Sequence, residues 1–341
     1  MNKCRHSQAV ALMCCAILSV SARSIAGSSE ESALSATDTA GLREVSITST
    51  ADRSEQRAMF WMPPGVQQPV PLLVDLHTWS GDYTQTDPRD DFFKAARERN
   101  WAFIHPDFRG PNTRPQACAS DLAVADVLDA VAFAKRQGLI DENRVYLVGV
   151  SGGGHMALVM AHRSPQVWAG VSAWVPITDL AAWHAQNCKD GQPGQYAKHL
   201  ELVCGGAPGT SDAVDAEYRK RSSLFYLQDA AGLPIDINAG IHDGHSGSVP
   251  ISHSLLAFNV LADANGLSEQ TIDDATIRHL VDDQSVPAGE AVPAQDETDR
   301  RFPVLFRRVA GPVRVTIFDG GHQHDTAPAI EWLAQQSHSR D

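Results

Sequence analysis

Three residues in this sequence have the types and settings for shared nucleophilic chemistry: Ser151, Asp243 and His322. Ser151 stands in Gly149-Val150-Ser151-Gly152-Gly153, a G-x-S-x-G pattern with an apolar stretch before it and a helix-like stretch after it. A serine on a strand-to-helix turn needs neighbours without a Cβ, so that strand and helix can approach closely. The helix start then directs backbone N–H groups at an oxyanion. A glycine-rich turn of this kind also binds phosphate, but no lysine follows here to make a P-loop.

Serine is a poor nucleophile without a base. Among 14 histidines, His322 directly follows an apolar run in Phe318-Asp319-Gly320-Gly321-His322. The alternatives are a loop histidine capping the last helix, or His324 as the base. The base needs a carboxylate to hold its tautomer. In the chain order serine, acid, base, Asp243 in Gly240-Ile241-His242-Asp243-Gly244 is reached by elimination. Asp236 lies inside a strand and Asp263 at a helix end. Asp243 could instead cap its own turn, as Asp-Gly pairs do.

The Gly152 amide, next after the nucleophile, is one expected oxyanion donor. The second is expected from His77-Thr78-Trp79-Ser80-Gly81, with the Trp79 amide as donor and its indole as a pocket wall; plain packing is the alternative. Trp183 is a further candidate for substrate contact. Arg109, in Phe108-Arg109-Gly110-Pro111-Asn112, has two readings of equal weight: a substrate-binding cation, or a structural partner of Asp107 or Asp121.

The elements that must position these residues alternate between strand and helix, which implies a mostly parallel sheet flanked by helices. Strands are expected at 45–50, 56–62, 71–77, 101–106, 145–150, 167–175, 233–239 and 313–318. Helices are expected at 92–98, 121–137, 155–162, 251–264 and 327–336. Residues 179–232 break the rhythm and read as a cap inserted before the acid strand. Residues 266–299 read as an acidic surface insertion, too irregular in its carboxylates for a calcium loop.

With 341 residues, 43% hydrophobic and 20% charged, the chain can bury one large core. A formal net charge of -13 opposes nucleic-acid and anionic-membrane binding. Residues 1–26 read as an export signal: Lys3 and Arg5, an apolar run from Ala9 to Val20 too short for a stable membrane anchor, and Ser24-Ile25-Ala26 at the cleavage site. A flexible leader at 27–42 and one domain at 43–341 come next, with a periplasmic or secreted destination. In such an oxidising compartment, Cys188 and Cys204 are the expected disulfide and Cys118 is left over. The cysteine spacing does not suit a zinc site, and the chemistry implies no metal or organic cofactor.

The order and spacing of these motifs resemble the α/β-hydrolase superfamily, nearest its prolyl-oligopeptidase-like and dienelactone-hydrolase-like branches. The resemblance rests on Asp141 to Gly154 around the nucleophile, on Tyr218-Arg219-Lys220-Arg221-Ser222-Ser223-Leu224 before the acid strand, and on Val249-Pro250 after the acid. It covers residues 43–335. Two departures stand out: His245, Ser246 and Gly247 lengthen the acid-to-Val-Pro spacing, and residues 266–299 are inserted before the last strand.

The leading expectation is a carboxylesterase working through an acyl-enzyme on small-molecule or polysaccharide esters, with oligomeric state open. A peptidase of the prolyl-oligopeptidase-like branch is the alternative. It ranks second because too few residues precede the first strand for that branch's propeller, and because no Glu-Glu motif anchors a substrate amine. A binding protein that has lost catalysis is the third reading.

Overall fold

The computed structural model describes residues 41–86, 91–290 and 300–338, which fall in the unit beginning at Gly41. The export signal and nearly all of the leader lie outside the described residues.

The main strands are β1 (Arg43–Thr48), β2 (Glu55–Trp61), β3 (Val70–Leu76), β4 (Ala102–Pro106), β5 (Ile140–Val150) and β6 (Gly170–Trp174). After a small hairpin of β7 (Cys188–Lys189) and β8 (Gln192–Pro193) come β9 (Ile235–Gly240), β10 (Val304–Ala310) and β11 (Val313–Phe318). The large sheet runs β1-β2-β4-β3-β5-β6-β9-β11-β10, parallel from β4 to β11 and antiparallel at its margins. Buried on both faces, the central strands read as continuous apolar runs such as 71–74 and 145–150, as parallel sheets require.

The helices are α1 (Asp91–Glu98), α2 (Asp121–Gln137), α3 (Gly152–Arg163), α4 (Leu180–Gln186), α5 (Gln195–Cys204), α6 (Asp212–Arg221), α7 (Ser252–Ala264), α8 (Asp274–Asp282) and α9 (Thr326–Leu333). Helix α2 starts where Ser120 accepts the Ala123 amide, with Asp121 in the first turn and Lys135 and Arg136 in the last, both favourable to the helix dipole. One apolar core gathers α2, α3 and α7 on the sheet, and a second lies under α1 and α9. A third, separate cluster joins Trp79 and Cys118 to α4, α5 and α6 of the cap.

This is the α/β-hydrolase architecture, with α4 to α6 inserted before the acid strand. Outside the cap, two elements differ from the sequence expectation. The segment 266–299 holds the amphipathic helix α8, capped by Asp273 and burying Ile277 and Leu280. Strand β10 is the other; its alternation is interrupted by Arg307 and Arg308, and its pairing with β11 through the turn at Gly311 forms only in the hairpin.

Register puts the chemistry at one edge. Gly149 pairs with Leu76 and Val150 with Trp174, while Phe318 pairs with Gly240. The chain therefore leaves β5, β9 and β11 at the same carboxyl end of the sheet, where such sheets bind ligands.

Candidate active site

Ser151 sits between β5 and α3 with φ 59° and ψ -114°, a conformation costing about 1–3 kcal/mol for a non-glycine residue. The turn is held by its amide donating to Trp174 O at 2.8 Å and by its carbonyl accepting from the His155 amide at 2.8 Å. A Cβ on Gly152 would collide with the backbone of Trp79, and one on Gly153 with the carbonyl of Leu76. These glycines let α3 start directly against the loop after β3.

His322 Nε2 lies 2.8 Å from Ser151 Oγ, and His322 Nδ1 lies 2.6 Å from Asp243 Oδ2. Asp243 is 1% exposed; its Oδ1 accepts the amides of Gly244 at 3.0 Å and Val249 at 3.1 Å. Three peptide segments thus form one hydrogen-bonded line, from a fixed buried carboxylate through an imidazole to a hydroxyl, the arrangement that moves a proton off serine as it attacks. His324 does not share this line; it stacks on Phe92 with ring centroids 5.2 Å apart.

The loop after β3 is tightly anchored. His77 places Nδ1 2.9 Å from Thr78 O and Nε2 2.8 Å from Asp107 O, and burial pushes its pKa down to about 4. The Thr78 amide donates to Gln85 Oε1 at 2.7 Å, and Trp79 O accepts the Asn112 amide at 2.9 Å. The Trp79 peptide is therefore fixed beside Gly152, whose amide opens α3 without an intrahelical acceptor. The two candidate oxyanion donors stand side by side next to Ser151.

Trp79 and Trp183 are only 2% and 1% exposed and meet edge to face at 4.7 Å. Trp79 Nε1 donates to His199 Nδ1 at 3.3 Å and Trp183 Nε1 to Ser248 O at 2.7 Å. Both indoles are packed within the cap cluster, and Tyr196 of α5, which lies against both, is the more exposed ring.

Two expectations are corrected. Arg109 is not a substrate cation: it is 8% exposed, with NH1 2.7 Å from Asp52 Oδ2, NH2 3.0 Å from Asp126 Oδ1, and Nε on Asp126 Oδ2. It ties α2 to the turn after β1, through partners other than Asp107 and Asp121. The Cys188–Cys204 disulfide is also absent, since Cys118, Cys188 and Cys204 are all thiols. Helix α5 turns Cys204 into the buried cluster with Leu200 and Tyr218, whereas Cys188 Sγ lies 3.8 Å from His184 Nδ1. Closeness in sequence did not bring the two sulfurs together. Burial raises the Cys118 thiol to about 12.

Gln85, in a polar loop without motif character, carries no signal in the sequence, and residues 245–247 show there only as an irregular spacing. That stretch wraps the acid: a Cβ on Gly247 would stand 2.8 Å from His322 Cβ.

The sequence profile of the prolyl oligopeptidase family matches residues 93–285, which include Ser151 and Asp243. The chain belongs to the prolyl oligopeptidase family. It has the α/β-hydrolase fold of that family. Among solved structures it is similar to the acylaminoacyl peptidase of Pyrococcus horikoshii, with TM-score 0.52 and 16% identity over 65% of this chain and 35% of that one. It is also similar to puromycin hydrolase, with TM-score 0.53 and 18% identity over 66% of this chain and 34% of that one. At such identities the likeness is one of fold, and the chain spans about a third of the length of these structures. No curated protein matches it in sequence. Membership of a peptidase family overturns the expectation of a carboxylesterase, and with it the acylated polysaccharide as substrate.

Proposed function

We propose that this protein is a serine peptidase that cleaves amide bonds in short peptides through an acyl-enzyme. The observation that carries the reading is the continuous line from Asp243 through His322 to Ser151, at 2.6 and 2.8 Å, within a chain of the prolyl oligopeptidase family.

Ser151 Oγ attacks the peptide carbonyl while His322 Nε2 takes its proton. The amides of Gly152 and Trp79 receive the negative charge on the carbonyl oxygen. The imidazolium, held by Asp243, returns the proton to the departing amine, and the acyl-enzyme forms on Ser151. Water activated by His322 then releases the carboxylic acid. The N-terminal sequence supports an exported enzyme acting on extracytoplasmic peptides.

The test is hydrolysis of a panel of short peptide anilides, with free and N-acylated termini, by the protein and by Ser151→Ala. Turnover of anilides that disappears in Ser151→Ala is the expected result. Turnover of p-nitrophenyl esters with no cleavage of any anilide would overturn it.

A further inference from the structure

The geometry points to Trp183 as a positioning residue for the catalytic acid, acting through the single peptide group between Ser248 and Val249. The proposal rests on the serine-peptidase reading of the same site.

Trp183 Nε1 donates to the carbonyl of Ser248 at 2.7 Å, and the amide of Val249 donates to Asp243 Oδ1 at 3.1 Å. That carbonyl and that amide belong to one planar peptide unit. The indole N–H, the peptide, the carboxylate, His322 and Ser151 therefore form one uninterrupted chain of hydrogen bonds. In a water-poor interior each donor polarises the next, so a hydrogen bond on the Ser248 carbonyl makes the Val249 N–H a better donor to Asp243. It also fixes the plane of the peptide, and with it the direction from which Asp243 Oδ1 is held.

Burial and packing make this link rigid. Trp183 is 1% exposed, and its ring is held edge to face by Trp79 at 4.7 Å and in a tilted contact by Tyr196 at 5.0 Å. Trp79 supplies the loop amide beside Gly152, so one cap side chain braces both the oxyanion loop and the acid loop. The far side of the acid loop is tied to α8, where His245 Nε2 lies 2.7 Å from Val281 O. The lengthened stretch 245–248 is thus a strap fastened at both ends. Its irregular spacing has a physical use, because the extra residues bring the Ser248 carbonyl within reach of α4.

The experiment is a double-mutant cycle of Trp183→Phe with Asp243→Asn, read as kcat and KM on a cleaved peptide anilide. Trp183→Phe keeps an aromatic ring and removes the N–H. It is expected to lower kcat about tenfold, the size of one hydrogen bond, with KM little changed. In the Asp243→Asn background the same change should cost nothing further, because residues acting as a unit are not additive. The far-downfield proton resonance of His322 Nδ1 should broaden or shift in Trp183→Phe. Should that variant fold poorly, 3-benzothienylalanine at position 183 keeps the bicyclic shape with sulfur in place of the N–H. An equal kcat loss in both backgrounds, or a rise in KM with kcat intact, would overturn the proposal. Asp243→Asn with undiminished kcat would overturn the triad reading itself, and the link with it.

Discussion

Gln85 grips Thr78 from two sides: its Oε1 accepts the Thr78 amide at 2.7 Å, and its Nε2 donates to Thr78 Oγ1 at 2.9 Å. A side chain seven residues on thereby sets the peptide that precedes the Trp79 amide. Such placement matters because an oxyanion donor works only where the developing charge will be.

Gln85→Ala should therefore lower kcat by about tenfold, a fraction of what losing a whole oxyanion donor costs. Gln85→Glu keeps the acceptor and should lose less. Gln85 is exposed, so the thermal midpoint should stay near that of the parent. The check is kcat on a peptide anilide together with the affinity of a peptide boronate, which mimics the tetrahedral species. Weaker boronate binding in step with kcat is expected; unchanged values for both would remove Gln85 from the site.

Gly247→Ala tests the strap over the acid. Its new Cβ would stand 3.1 Å from Asp243 Cγ and 2.8 Å from His322 Cβ, and closer still to Asp243 Oδ1. Something must shift, and the pair it pushes apart is the one that holds the base. A displacement near 1 Å costs about a hundredfold in rate. Steady-state kinetics should show that loss in kcat with substrate binding retained, while a mutant with parental kcat would mean that the loop yields freely.

Arg109→Met should destabilise the fold rather than change specificity. It leaves the side chain of Asp126, 1% exposed, as a buried carboxylate without its cation. Breaking such a pair from one side costs about 3–5 kcal/mol. Arg109→Lys keeps the charge but not the fork that reaches Asp52, Ser49 and Asp126 together, so it should fall between the two. Denaturant unfolding measures the order. Parental stability in Arg109→Met with altered peptide preference would restore the substrate-binding reading.

Stability should decline in mild acid because several histidines are buried neutral. Burial pushes His253 down to about 3 and His155 to about 4. His253 Nδ1 accepts the amides of Thr178 at 3.2 Å and Asp179 at 3.3 Å, so a proton there would face two donors. In the unfolded chain a histidine takes up its proton near pH 6.5. Between that value and about 4 the unfolded state binds more protons, so stability rises with pH and is lost on acidification. These groups contribute in full above about pH 6.5, and their contribution falls until the folded values are reached. Thermal midpoints from pH 7.5 to 4.5 should drop progressively, and less in His253→Gln. A flat profile would mean that these side chains are not buried neutral.

The candidate nucleophile, base and acid are legible in the chain because each follows a strand in a local pattern that chemistry demands: glycines around Ser151, and short turns leading to Asp243 and His322. Strand periodicity and chain order then put all three at one edge of a parallel sheet. Local pattern fails where the partner is distant in the chain. Arg109 reads equally well as a ligand contact or a strut, and only the fold brings Asp52 and Asp126 to it. Cys188 and Cys204 are close in sequence, yet a helix and a hairpin turn them into different surroundings. Gln85 has no signature at all, and the 245–248 strap shows only as an irregular spacing, since their meaning lies in which backbone groups they meet. Periodicity and turn composition are local properties, and they suffice to specify most strands of the sheet and the chain order of the candidate reacting groups. What holds those groups in line is settled by three-dimensional packing, because a hydrogen bond between Trp183 and Ser248, 65 residues apart, has no local cause.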